Sequence, residues 1–236
     1  MYSLINKNII VTGATSGIGK CLTKALLNSG ANVAFCGKSE NKMKSFLTEL
    51  DNPHNCYYET FDISNEDAII DFVNNVKAHM GSVDTLVNCA GANGSRGFVS
   101  DIKTNDLELM IRVNMIAPFI FIREVYNSMK IEEPGMFINV LSTVCNFSNE
   151  GIGAYTASKA GYDALVKVFR KEVREKNKRV CSIYPGGVDS PFREEDRPDY
   201  LNVEDVAKAI LSMMLFDKNA SVDELVIRPV IEKNYS

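Results

Sequence analysis

The stretch Asn8-Ile9-Ile10-Val11-Thr12-Gly13-Ala14-Thr15-Ser16-Gly17-Ile18-Gly19 is the segment around which the rest of the chain takes its order. Its first half is a short apolar run, the pattern of a parallel strand buried on both faces. Leu22, Leu26 and Leu27 follow at helical spacing, and Gly30 stands where a helix C-cap belongs. The glycines therefore fall at a strand-to-helix turn. Backbone N–H groups and a helix N-terminus meet there and can hold a pyrophosphate. Glycine permits the tight turn and lets a phosphate approach the backbone. A turn that needs glycine for its shape alone is the competing reading.

Outward from this turn, strands and helices alternate. Asn32 to Cys36 reads as a second strand, followed by Gly37-Lys38-Ser39 with no acid before Glu40. In a dinucleotide fold an acid at this point holds the adenosine ribose hydroxyls, whereas a base accommodates a 2′-phosphate. Lys38 therefore points toward NADP(H), with NAD(H) as the alternative and a solvated loop lysine as the bland one. A helix over 40–51 ends before Pro53. A third strand, Cys56 to Phe61, leads to Asp62-Ile63, and a helix over 65–80 stops at Gly81. The fourth strand, Val83 to Val87, runs into Asn88-Cys89-Ala90-Gly91. A long helix over 104–130 carries Asn114, and a fifth strand, Met136 to Leu141, has Ser142 at its end. The next helix holds Tyr155 and Lys159 and runs to about Lys176. A sixth strand, Arg179 to Tyr184, is followed by Pro185-Gly186-Gly187-Val188, then by an acidic, proline-marked loop over about 189–202. A helix over 203–216 and a strand from Glu224 to Arg228 close the chain. This alternation predicts an α/β fold: one domain over 1–236, a Rossmann-type doubly wound parallel sheet with helices on both faces. Ligands of such sheets lie beyond the carboxyl ends of the strands. Thr12, Cys36, Asp62, Asn88, Ser142 and Pro185 fall at those ends.

With 45% hydrophobic and 24% charged residues, the 236-residue chain has an ordinary globular mix and length enough for a sizeable core. A net charge of -4 offers no basic stripe for nucleic acid. The six cysteines, Cys21, Cys36, Cys56, Cys89, Cys145 and Cys181, are scattered without a C-x-x-C pair. Reduced thiols in a cytoplasmic enzyme suit that pattern better than disulfides or a metal site, and no metal is expected. Met1 to Asn8 lacks the basic start and apolar run of a signal peptide. The longest apolar window, Met115 to Ile122, is too short to span a bilayer.

Tyr155 and Lys159 stand four residues apart, so on a helix they share a face one turn from each other. A phenol ionises near pH ~10, and a neighbouring ammonium favours the phenolate. Lowering it by about 3 units takes roughly 4 kcal/mol of differential stabilisation. A lysine and a cationic cofactor ring in a dry cleft can supply that. Alone, the pair is more readily a helical surface pair than a catalytic one.

Together the motifs resemble the short-chain dehydrogenase/reductase family over about residues 5–230. T-G-x-x-x-G-I-G lies at Thr12 to Gly19, an acidic adenine contact at Asp62, and N-x-A-G at Asn88 to Gly91. Val113-Asn114, Ser142, Tyr155-x-x-x-Lys159 and Pro185-Gly186 follow in order. The resemblance implies about seven strands in the order 3-2-1-4-5-6-7. It implies a diphosphate loop of Thr12, Gly13, Thr15, Ser16, Gly17, Ile18 and Gly19, and an adenine pocket of Asp62 and Ile63. Asn88, Ala90 and Gly91 would flank adenosine, and Pro185, Gly186, Val188 and Ser190 the nicotinamide. Ser142, 13 residues before Tyr155, would polarise the substrate oxygen, and Asn114 would hold a water for a proton relay through Lys159. Cys89, Leu141 and Cys145 replace the family's usual asparagine, serine and glycine.

Asn93, Arg96, Cys145, Gly187 and Phe192 are the expected substrate-pocket residues. Arg96, Arg193 and Arg197 flank the pocket as solvated loop charges or as an anion site, with Glu194, Glu195 and Asp196 opposing the latter. The expected activity is NADP(H)-dependent interconversion of a carbonyl and a secondary alcohol, 3-oxoacyl chains among the candidate substrates. The alternatives are an NAD-dependent alcohol dehydrogenase and a non-catalytic dinucleotide-binding regulator or scaffold. The expected partners are a small-molecule substrate and further copies of the chain in a homodimer or homotetramer, with no nucleic acid and no membrane.

Overall fold

The computed structural model describes residues 3–51, 53–192, 196–217 and 219–233. Seven parallel strands form one sheet in the order β3-β2-β1-β4-β5-β6-β7. They are β1 (Asn8–Thr12), β2 (Asn32–Gly37), β3 (Cys56–Thr60), β4 (Thr85–Asn88), β5 (Gly135–Val140), β6 (Lys178–Pro185) and β7 (Glu224–Ile227). The helices are α1 (Gly17–Asn28), α2 (Glu40–Glu49), α3 (Glu66–Met80), α4 (Thr104–Ile111), α5 (Ala117–Ser128), α6 (Gly153–Val173) and α7 (Val203–Met214).

The alternation of side chains along β1 explains the layers. Ile9 and Val11 face a core with Leu22 and Leu26 of α1, Phe46 of α2 and Ile210 of α7. Ile10 faces the opposite core, with Phe72 of α3, Phe121 of α5 and Val166 of α6. Each face is covered, so the central strands can be apolar on both sides. The strand order reverses at β1, whose neighbours are β2 and β4. A crevice opens there, beyond the carboxyl ends of the two strands that diverge.

Most expected elements fall within a few residues of their places, but the long helix over 104–130 is broken. Between α4 and α5, Arg112–Ile116 form a wider π-turn, in which the Ala117 N–H donates to the Arg112 carbonyl five residues back. Pro118 supplies the reason. It has no N–H to give the carbonyl of Asn114, four residues earlier, and its ring crowds that carbonyl. π-bulges of this kind gather at functional sites, and Asn114, fully buried, sits within this one. The helix expected to reach Lys176 ends as α6 at Val173, followed by a 3₁₀ turn over Arg174–Lys176. Among the described residues no helix is long and apolar enough to cross a membrane. All six cysteines are free thiols.

Candidate active site

A cavity of about 770 Å³ runs along the carboxyl ends of the strands. The turn after β1 forms its floor. Thr12 lies just beneath: its Oγ1 accepts from the N–H groups of Cys89 and Ala90, both at 3.0 Å, tying the end of β1 to the loop after β4. Gly13 has φ +69°, and a Cβ there would stand 2.8 Å from Ala90 Cα. Only glycine allows both the conformation and the approach. Ser16, at the N-cap of α1, makes no side-chain cap, and the first turn carries no acid. The N–H groups and positive end of α1 thus meet the cavity without a side-chain cap or first-turn acid, which fits a diphosphate. Thr15, Ser16, Gly17, Ile18 and Gly19 all line it, and Gly17 faces Ser190 across it, a Cβ there being 3.7 Å from that of Ser190.

At one end stand Lys38 and Asp62, with Ile63 beside them. The Lys38 ammonium is 2.8 Å from the Asp62 carboxylate. Lys38, together with the Ser64 N–H, holds the Asp62 carboxyl below its usual range. Lys42, in the first turn of α2, also lines this end.

At the other end, α6 presents Tyr155 and Lys159, both buried and one turn apart. Lys159 Nζ donates to the Val140 carbonyl at 3.0 Å. Burial pushes the ammonium pKa down to about 8. Ser142, just past β5, also lines the cavity. Its Oγ accepts from the Val144 N–H at 3.3 Å, which caps the short 3₁₀ turn Thr143–Cys145. The hydroxyl proton of Ser142 is not used in that bond. Ala90, Gly91, Pro185, Gly186 and Val188 complete the walls, and Asn93, Arg96, Gly187 and Phe192 surround the remaining space. The rings of Phe192 and Tyr155 lie 6.1 Å apart. Asn93 Oδ1 is a buried acceptor with no hydrogen-bond partner among the described residues, and a ligand donor could satisfy it.

Four expected residues do not line the cavity: Thr12, Asn88, Asn114 and Cys145. Asn88 turns into the core, where its Nδ2 donates to the Tyr162 hydroxyl at 2.9 Å and the Pro118 carbonyl at 3.2 Å. Asn114 stands one layer back. Its Oδ1 accepts from the Ala92 N–H at 2.9 Å, and its Nδ2 donates to the Ala92 carbonyl at 2.8 Å and to Ser158 Oγ at 3.1 Å. Ser158 in turn donates to the Tyr155 carbonyl at 2.8 Å, so Asn114 joins the cavity loop to the helix of Tyr155. Cys145, expected near the substrate, packs instead against the core beneath α6. Burial pushes its thiol up to about 11, and that of Cys89, which does line the cavity, to about 12. Both are protonated at neutral pH. Arg197 is held by Asp199 at 3.0 Å and lies 3.9 Å over the Tyr200 ring. Arg193, Glu194 and Glu195 lie outside the described residues.

Sequence reasoning missed Lys42, Leu109, Val113, Tyr200 and Glu232, all on the cavity wall. Lys42 was readable, four residues after Lys38 at the start of a helix. The others reach the cavity only through tertiary packing.

A model of the short chain dehydrogenase family matches residues 7–201. An uncharacterized oxidoreductase of Staphylococcus saprophyticus is 29% identical over 235 residues, 98% of this chain and 100% of that protein. Among solved structures, an alcohol dehydrogenase from the archaeon Thermococcus sibiricus, complexed with 5-hydroxy-NADP, superposes with a TM-score of 0.88 at 24% identity, over 96% of this chain and 98% of that one. A metagenomic short-chain oxidoreductase in complex with NADP gives a TM-score of 0.86 at 27% identity, over 98% and 100% of the two chains.

Proposed function

The chain belongs to the short chain dehydrogenase family and is an oxidoreductase, and on that premise we propose that it interconverts a carbonyl compound and a secondary alcohol with NADP(H). The observation that carries this reading is that Ser142, Tyr155 and Lys159 line the same cavity as the glycine turn after β1. When bound, the nicotinamide supplies or accepts the hydride. Tyr155 gives or takes the proton on the substrate oxygen. Lys159 lowers the phenol's pKa by its charge and binds the nicotinamide ribose. Ser142 donates its free hydroxyl proton to the oxygen as charge develops there. Asn114 holds the Gly91–Ala92 loop and α6 together and links the relay to solvent. Gly13 to Gly19 hold the diphosphate, Asp62 and Ile63 the adenine, Ala90 and Gly91 the adenosine side, and Val188 and Ser190 the carboxamide. The direct test is oxidation of NADPH across a panel of ketones and aldehydes. Cofactor binding with no turnover of any of them would leave the chain a dinucleotide-binding regulator or scaffold.

Preference for NADP(H) rests on Lys38, with Lys42 beside it. NADP in the metagenomic relative's structure supports it. The ion pair with Asp62 pulls the other way, because it occupies Lys38. A 2′-phosphate, with about two negative charges, competes for that ammonium against a single carboxylate. Lys38→Ala is expected to shift the ratio of kcat/KM for NADPH over NADH by roughly tenfold toward NADH, a charge-assisted contact at an exposed site being worth about 1–2 kcal/mol. An unchanged ratio would make the enzyme's preference independent of Lys38 and favour the NAD reading.

Assembly through the long helices is supported by Phe119 on α5 and by Leu165 and Val168 on α6, large apolar side chains left exposed. Sedimentation equilibrium is expected to give at least twice the chain mass of 26.2 kDa. A monomer at micromolar concentration would remove this part of the reading.

A further inference from the structure

Gly186 and Gly187 follow β6 at the cavity, and both are covered by parts of the chain far away in sequence. A Cβ at Gly187 would run into the Tyr200 ring, and one at Gly186 into Glu232 and Pro229. The backbone here is thus clasped from two sides. From one side, the Leu201 N–H donates to the Gly187 carbonyl at 3.1 Å, and the Asp189 N–H to the Leu201 carbonyl at 2.8 Å. From the other side comes the segment after β7. The Gly186 N–H donates to the Ile227 carbonyl at 2.8 Å, continuing the sheet. The chain then turns at Pro229, where the Glu232 N–H donates back to the Pro229 carbonyl at 3.1 Å. This turn brings the Glu232 carboxylate onto the cavity wall, largely buried. One of its oxygens, Oε1, accepts from the Gly187 N–H at 3.2 Å. The other, Oε2, accepts from Arg228 Nε at 3.2 Å, and the Arg228 guanidinium lies 4.8 Å over the Phe147 ring.

We propose that Glu232 is a positioning residue for the bound dinucleotide: by accepting the Gly187 N–H from the chain's C-terminal segment, it sets the path of Gly187-Val188 along the cavity. This rests on the reading above, in which Val188 and Ser190 meet the nicotinamide carboxamide. Gly187 has no side chain with which to fix its own conformation, so its N–H and carbonyl partners must do so. The carbonyl is held within the same loop, by Leu201. Among the described residues the N–H is held by Glu232, and the bond is charge-assisted, which makes it stronger than a neutral one. Arg228 aims the carboxylate and neutralises it, so the group can lie against the cavity wall without facing the ligand as a bare charge.

The test is direct binding of NADPH, followed by its fluorescence, in the wild type and in Glu232→Ala and Glu232→Gln. Glu232→Ala is expected to weaken NADPH binding about tenfold, the loss of one charge-assisted hydrogen bond. Glu232→Gln is expected to fall between the wild type and Glu232→Ala, because its one amide oxygen can still accept from Gly187 but then leaves Arg228 Nε facing the amide NH2. A role limited to stability would move the melting temperature of both variants and leave the dissociation constants alone, and that result overturns the proposal. Equal weakening in both variants also overturns it, since the Gly187 N–H would then not be the group through which Glu232 acts. Failure of the wild type to bind NADPH or NADH would instead strike at the dinucleotide reading itself, and this inference would fall with it.

Discussion

Tyr155→Phe is expected to lower kcat/KM for carbonyl reduction by roughly 10²–10⁴-fold, the range for loss of a positioned acid/base group. The ring stays: it is buried, lies beside Phe192 and is carried by the first turn of α6. Removing only the hydroxyl therefore leaves the cavity's shape in place, and the NADPH dissociation constant should remain within about twofold. The loss should fall on kcat, because the proton is transferred only as the reaction proceeds. Stopped-flow NADPH oxidation with titrated binding separates the two. A variant that keeps turnover while binding cofactor normally would mean that the proton comes from elsewhere.

Lys159→Met is expected to abolish turnover and yet raise the stability of the free protein. Burial takes the lysine pKa from the ordinary 10.5 to about 8. Each unit corresponds to about 1.4 kcal/mol, so holding the ammonium here at neutral pH costs on the order of 3 kcal/mol. Methionine fills nearly the same volume without charge. The Val140 carbonyl loses its donor, a cost of about 1 kcal/mol. The net gain of about 2 kcal/mol should raise Tm by roughly 4–8 °C at pH 7. The sign of the pH dependence follows from the depressed pKa. Between about 8 and 10.5 the unfolded chain binds the proton more tightly, so wild-type stability from this group rises with pH across that window. It is lost as pH falls through 8. The gap in Tm between variant and wild type should therefore be widest at pH 7 and narrow by pH 9.5. A gap that stays constant, or a less stable variant at pH 7, would show that burial of the ammonium carries no such cost. The same titration predicts that wild-type turnover declines above pH ~8, as the charge that favours the phenolate is lost.

These two residues were legible because their relation is local. Tyr155 and Lys159 meet through one turn of one helix, and the glycines of 13–19 through one strand-to-helix turn. Short-range geometry is set by backbone dihedrals and periodicity, which a sequence displays directly. The doubly wound parallel sheet was legible for a related reason: alternating strands and helices admit few parallel arrangements, while the strand order itself came from the family resemblance. The broken helix at Asn114 lay between these cases. Pro118 was visible, but which carbonyl it releases, and what Asn114 then holds, depends on Ala92 and Ser158 from other elements.

What the glycine turn and the alternation around it determined unaided was a dinucleotide-type sheet, with Ser142 at a strand end that faces the crevice and Tyr155 and Lys159 one turn apart on a helix. What only the tertiary structure decided was the direction in which side chains at the strand ends face. Thr12 and Asn88 turn inward because a threonine oxygen and an asparagine amide at those ends find buried backbone and hydroxyl partners there. Lys38 meets Asp62 because β2 and β3 are neighbours in the sheet. Glu232 reaches Gly187 because β7 pairs with β6 and the chain turns back at Pro229. Such contacts join residues tens of positions apart, and no local propensity or period encodes them. They follow from which faces the packed layers bury and which polar groups that burial obliges to find a partner.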